Sequence, residues 1–252
     1  MSGPSWFTRV MTSRLRSGVV ALAVVAASTA LAGPLAVVEL FTSQGCSSCP
    51  PADAALRDLA GRSDVIALTL PVDYWDYLGW RDTLAKPAFT ARQRAYSSMR
   101  GDRQVFTPQV VVNGKGSCIG SDAAALEQLI QAGRPGPGVA IALSESGATV
   151  AVDVAGAAGG PARADTAEVW LLPVAKAREV AIERGENRGK TITYANVVRG
   201  MTRIGEWRGA PLPIEVPLAV ARSDGEGYVV LLQSPRGDKL GPILGAAKSP
   251  GL

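Results

Sequence analysis

The feature that most constrains this chain is Cys46-Ser47-Ser48-Cys49, set between an apolar strand and a proline-started helix. Leu35 to Phe41 is a short apolar run with β-branched residues, which predicts a buried strand. Thr42-Ser43-Gln44-Gly45 breaks it. Pro50 and Pro51 follow, and a missing N–H costs little in the first turn of a helix. Asp53 to Ala60 then has helical spacing, with Leu56, Leu59 and Ala60 on one face. A Cys-x-x-Cys alone is a weak signal, because half of a metal site looks the same. One that follows a buried strand and opens a helix is far more specific.

That position has a chemical rationale. First-turn amides are unpaired and the helix dipole adds partial positive charge, so a thiolate is favoured there. Cys46, at the exposed start, is the expected nucleophile. Cys49, one turn on, is placed to resolve a mixed disulfide. Phe106-Thr107-Pro108-Gln109 sets an X-Pro just before the strand-like run Gln109–Val112. Thioredoxin folds hold a cis proline at such a place, so Thr107–Pro108 is expected to be cis. The Thr107 backbone would then meet a substrate strand, and Pro108 would shape the groove. The alternative is an ordinary trans proline at a strand start. Glu39 interrupts the first strand, where a buried carboxylate is expensive without a role. It either exchanges a proton with Cys49 or is a salt-bridged residue at a strand end.

Two further features stand out. Tyr74, Trp75, Tyr77 and Trp80 fall in one loop of a chain that is only 6% aromatic. Tyr74 and Trp75 are candidates to roof the cysteines or to dock a substrate, and the plainer alternative is that the loop packs two domains together. Cys118 is a buried inert thiol, a third redox partner or a metal ligand, the first being the commonest fate of a free cysteine. The chain has no histidine. That removes Ser–His and Cys–His catalysis and mixed cysteine–histidine zinc sites. No metal or other cofactor is expected, although a copper(I) site of three thiolates is formally open.

The remaining sequence sets the organisation. Residues 1–32 read as a signal peptide: basic Arg9, Arg14 and Arg16, an apolar stretch Val19–Ala27, and Ala30-Leu31-Ala32 for cleavage. The apolar stretch is short for a membrane span. The expected mature chain is periplasmic or secreted, with no membrane contact after cleavage. The formal charge of +4 is then nearly neutralised, which gives no reason to expect nucleic acid. Val65–Leu70 reads as a second buried strand and residues 87–99 as a helix. Asn113-Gly114 reads as a hairpin turn, and Ser121-Asp122 as a helix cap. Arg134-Pro135-Gly136-Pro137-Gly138 is punctuation. Beyond it, 139–154, 166–183, 190–200, 213–222 and 227–233 have strand-like spacing, with Gly156 to Pro161 a loop. The expected fold class is α/β: a thioredoxin-like domain over 33–134, then an all-β, sandwich-like accessory domain over 138–252.

Several runs resemble a known family: Val38 to Asp53, Val72 to Trp80, Arg92 to Tyr96, Thr107 to Gly114, Arg184 to Lys190 and Asn196 to Arg199. Together they resemble the secreted thioredoxin-like proteins grouped as domain-of-unknown-function family 1223. The resemblance covers essentially all of the mature chain. It implies a thioredoxin-like first domain and export, and no settled substrate. Relatives often carry His where this chain has Pro71, and Cys118 is atypical for them.

The functional expectation is an extracytoplasmic thiol–disulfide oxidoreductase. Cys46 attacks, Cys49 resolves, and the partners are exported protein thiols or a redox partner protein. The alternative is a non-catalytic thioredoxin-like binding module whose Cys46–Cys49 pair is a structural disulfide or thiolate metal site. A peroxidase-like chemistry fits less well, because it needs a lone peroxidatic cysteine near an arginine.

Overall fold

The computed structural model describes residues 1, 3, 36–102, 104–133, 138–157, 166–236 and 239–252. The signal-peptide reading, most of the 134–138 punctuation and part of the 156–161 loop lie outside the described residues. The elements are β1 (Ala36–Thr42), α1 (Pro50–Ala60), β2 (Val65–Pro71), α2 (Pro87–Arg100), β3 (Gln109–Val112), β4 (Gly116–Ile119) and α3 (Ala123–Ala132). They continue as β5 (Ile141–Ser146), β6 (Thr149–Val154), β7 (Ala167–Ala181), β8 (Thr191–Val198), β9 (Thr202–Trp207), β10 (Leu212–Pro217), α4 (Leu218–Ala221), β11 (Gly227–Arg236) and β12 (Lys239–Lys248).

β1 and β2 are buried along their whole length and pair in parallel, joined by α1. Their largely apolar runs, broken by Glu39 in β1 and Thr69 in β2, follow from having both faces covered. Ala36, Val38 and Leu40 pack against Ala52 and Leu56 of α1 and Leu126 and Ile130 of α3. Val37 and Phe41, on the opposite face, pack against Phe89 and Tyr96 of α2. β3 pairs antiparallel on the other side of β1 and turns through Asn113 (φ 51°) and Gly114 (φ 67°) into β4. Both residues take the left-handed conformation that the expected turn requires. The Asp122 carboxylate caps α3 by accepting from the Ala125 amide at 3.0 Å.

The expected fold class is not what the structure shows. The chain is mostly β, and strands from 33–134 and from 138–252 share one nine-stranded mixed sheet. Its order is β12-β11-β7-β8-β2-β1-β3-β4, with β9 on β7. The join is β2 to β8: Thr69 pairs with Val197, and the Thr69 hydroxyl donates to the Ala195 carbonyl at 2.6 Å. β7 makes this possible by its length of 15 residues. Its first half pairs with β11 and β9, and its second half with β8. Leu172, Val174 and Val198 consequently enter the same core as Phe41 and Leu68. A thioredoxin-like domain standing apart from a β domain is therefore replaced by a shared sheet. Periodicity cannot reveal a pairing across more than a hundred residues. The strand-rich character expected after residue 138 does hold. A smaller sheet, β10-β6-β5, packs Val150, Val152 and Val154 against Val169, Leu171 and Val230.

Candidate functional site

Cys49 is the N-cap of α1, and Pro50 and Pro51 occupy its first turn. Cys46 and Cys49 form a disulfide with their Cα atoms 5.4 Å apart. Cys46 is 3% exposed and Cys49 is 0% exposed, whereas Ser47 and Ser48 between them face solvent. The disulfide thus lies just beneath the surface at the N-terminus of α1. The Cys46 sulfur is 3.4 Å from the Ser48 hydroxyl.

Three segments hold the approach to the cysteines. Gln44 is buried and bonded all round. Its amide N–H donates to Asp82 at 2.8 Å, its Oε1 accepts from the Trp80 indole at 2.8 Å, and its Nε2 donates to the Thr83 hydroxyl at 3.1 Å. The connection from β7 to β8 supplies the second hold. Asn187, fully buried, donates its side-chain amide to the carbonyls of Gln44 and Cys46 at 3.0 and 2.8 Å. Its Oδ1 accepts from Lys190 at 2.9 Å, so the side chain is fixed. Beside it, the Ser47 amide donates to Glu186 at 3.3 Å. Gly185 (φ 76°) and Gly189 (φ 82°) make the left-handed turns that fold this strap back.

The aromatic loop is the third segment. Trp75 stacks on Tyr77 at 6.3 Å and leans on Tyr74 at 5.8 Å. A Cβ on Gly45 would lie 3.2 Å from the Trp75 Cβ, so the glycine lets the two backbones meet. The Trp75 indole also donates to the Thr107 hydroxyl at 2.7 Å. Trp75 therefore ties the Cys46 approach to Thr107–Pro108. That peptide bond is cis, as expected from the sequence. Pro108 is buried, Thr107 is half-buried and Phe106 is exposed beside them. Cys46, Cys49, Thr107, Pro108, Tyr74 and Trp75 thus belong to one linked region.

Glu39 lies on the other side of β1. By strand alternation it shares the α2 face with Val37 and Phe41. Its Oε1 accepts from Arg92 at 2.6 Å and its Oε2 from the Tyr96 hydroxyl at 2.6 Å. Arg92 also donates to Tyr96 and to Gln233 of β11, at 2.7 and 2.9 Å. Glu39 is thus a salt-bridged residue in the sheet centre rather than at a strand end. Cys118 sits on β4 opposite Val110, half-buried against the α1–α3 core. Burial pushes its thiol up to about 11, which suits an inert cysteine. Among the described residues no three metal-ligating side chains cluster.

Sequence reasoning missed the acids beneath the disulfide. Asp53, one turn beyond Cys49, is 3% exposed, and its Oδ1 accepts from the Thr42 hydroxyl at 2.7 Å. Its Oδ2 is buried without a partner among the described residues. Burial pushes this carboxyl up to about 7 against the Thr42 bond, and nearby Asp82 adds to the rise. Asp82 itself is raised to about 6 by burial, despite three backbone amide donors. The Tyr194 hydroxyl of β8 is also buried and unpartnered among the described residues, and burial and both aspartates push it up. The spacing Cys49-x-x-x-Asp53 was the available signal, since residues four apart share a helix face.

The class defined here is a Cys-x-x-Cys protein whose disulfide lies at the N-terminus of a helix on a mixed, mostly β framework. The chain belongs to the family described as protein of unknown function DUF1223, whose model matches residues 37–233. A crystal structure of protein AGR_C_4864 from Agrobacterium tumefaciens is similar at 34% identity and a TM-score of 0.75, over 87% of this chain and 96% of that one. HBP35 of Porphyromonas gingivalis is similar in fold, with a TM-score of 0.57 and 13% identity over 86% of this chain and 75% of that one. No curated protein matches the chain.

Proposed function

We propose that this protein is an exported thiol–disulfide oxidoreductase that exchanges electrons through Cys46 and Cys49. The observation that carries the reading is the disulfide in the turn that leads into α1, with two exposed serines between its cysteines. A thiolate released at Cys46 meets the positive end of that helix's dipole. Cys49 is buried and held by the helix, so it remains within reach of a mixed disulfide at Cys46. The substrate thiolate attacks the Cys46 sulfur, and the Cys46–Cys49 bond breaks with Cys49 as leaving group. A second thiol of the substrate then attacks its own sulfur in the mixed disulfide. The substrate leaves oxidised and the protein dithiol is reduced. Trp75 and Tyr77, beside Thr107 and Phe106, form an apolar flank for an extended polypeptide thiol.

The signal-like N-terminus supports export to the periplasm or beyond, where such a disulfide persists. The test is reduction of insulin disulfides, or oxidation of a reduced unfolded protein. The wild-type chain is expected to exceed an equal concentration of free dithiol, and Cys46→Ser to abolish the effect. Equality with free dithiol overturns the reading.

The burial of Cys46 favours a second reading, a binding module stapled by an inert disulfide. It requires slow reduction of the native chain and unchanged partner binding in Cys46→Ser/Cys49→Ser.

A further inference from the structure

Cys49 is 0% exposed, so a thiolate generated there has no direct access to water. An anionic sulfur in such a place is costly unless a proton reaches it. Among the described residues, Asp53 is placed for that task. Asp53 follows Cys49 by four residues, and its amide donates to the Cys49 carbonyl at 3.1 Å. Cys49 itself has helical backbone angles, φ −77° and ψ −36°, so the two residues stack on one helix face. Helical side chains tilt toward the N-terminus, which for Asp53 is the direction of the turn that holds Cys49. Thr42, at the end of β1, fixes one carboxyl oxygen. The other oxygen, Oδ2, is buried and makes no bond among the described residues while the disulfide is closed. A buried carboxyl oxygen without a partner calls for an explanation, and a group that becomes a thiol on reduction supplies one.

We infer that Asp53 carries the proton for Cys49, giving it to the sulfur as the Cys46–Cys49 bond opens and recovering it as the bond closes. The step rests on the exchange chemistry proposed above. In the reducing direction an external thiolate bonds to Cys46, the S–S electron pair moves to the Cys49 sulfur, and the Asp53 proton follows. Cys49 is then a neutral thiol and Asp53 a carboxylate. In the oxidising direction Asp53 takes the thiol proton, and the Cys49 thiolate displaces the external thiolate from Cys46. The groups that face Asp53 suit this exchange. From β1 comes the Thr42 hydroxyl; from β8 comes the Tyr194 phenol, which burial keeps neutral. The loop after β2 contributes the buried Asp82, whose charge favours a protonated Asp53. Glu39 is on the opposite face of β1, bonded to Arg92. Burial holds the Asp53 proton up to near neutral pH, where it is available to transfer.

The test is the rate at which dithiothreitol opens the disulfide between pH 5 and 9, per dithiothreitol thiolate, read by quenched alkylation and mass. In the wild type this rate should fall at least about tenfold as pH rises through the Asp53 titration. Asp53→Asn should be slower at pH 6 by a similar factor, with no such fall. Asp53→Glu should restore a fall at a shifted pH. Thermal unfolding confirms that each variant is folded. If Asp53→Asn does not fold, Asp53→Glu decides alone, and an unmoved break overturns the assignment. So does an Asp53→Asn profile that matches the wild type. Activity on insulin is read separately. Inactivity there with an Asp53-dependent dithiothreitol profile overturns the proposed function and keeps the proton role. Activity on insulin with an unchanged Asp53→Asn profile does the reverse.

Discussion

The side-chain amide of Asn187 donates to the Cys46 carbonyl at 2.8 Å, joining residues 141 positions apart in the sequence. The disulfide is thus held by the β7–β8 strap as much as by its own helix. Asn187→Ala would leave the carbonyls of Gln44 and Cys46 without that donor, at a cost of about 1–3 kcal/mol for each unsatisfied group. Urea unfolding should show the loss, and dithiothreitol should open the disulfide faster. An unchanged midpoint and rate would remove Asn187 from the account.

Gly45 gives a test of the aromatic flank. In Gly45→Ala the new methyl lies 3.2 Å from the Trp75 Cβ and 3.3 Å from its carbonyl oxygen. Neither backbone nor Cβ yields easily, so the loop should shift at a cost of about 1–3 kcal/mol. The expected outcome is altered tryptophan fluorescence with weakened exchange on protein substrates. Reduction by dithiothreitol, which needs no flank, should change less.

Glu39 should separate stability from chemistry. Glu39→Gln leaves the buried Arg92 without its counter-charge, and such a break costs about 3–5 kcal/mol. Urea unfolding should show this loss. Where the variant is folded, its pH profile for disulfide opening should keep the wild-type break, because Glu39 is on the α2 face.

The buried acids make stability depend on pH in a defined direction. Burial raises Asp53 to about 7 and Asp82 to about 6. The native state therefore binds more protons than the unfolded chain between their ordinary and raised values. Their contribution is complete below about pH 4. It is lost as pH rises toward 7, with Asp53 worth up to about 4 kcal/mol at 1.36 kcal/mol per pH unit. Urea midpoints should fall from pH 5 to pH 7.5, and Asp53→Asn should flatten that fall. A midpoint that rises over this range would contradict the burial assigned to both acids.

The local elements of this fold were legible because their signals are local. The β1–Cys-x-x-Cys–α1 junction, the Asn113-Gly114 turn and the Asp122 cap each depend on a few adjacent residues, whereas the cis Thr107–Pro108 bond was expected by analogy with other folds. The shared sheet was not legible, because β2 and β8 meet at Thr69 and Val197. β12 was missed because Gly241, Pro242 and Gly245 interrupt its apolar pattern. Glu39 drew attention as a buried carboxylate, but its partner Arg92 lies on a helix 53 residues away. Asp53 carried no signal of its own, since an acid in the first turn of a helix is favoured by the dipole whether or not it is buried. The strap motif Arg184 to Lys190 was visible as a run, but its contact with Cys46 required the fold.

The most direct test is the equilibrium between the Cys46–Cys49 disulfide and a dithiothreitol or glutathione redox buffer at pH 7, read by alkylation and mass. A redox-active pair should titrate reversibly, at a potential between about −120 and −270 mV, the span of known exchange proteins. A disulfide that stays closed until below about −300 mV is a structural staple, and would contradict the account.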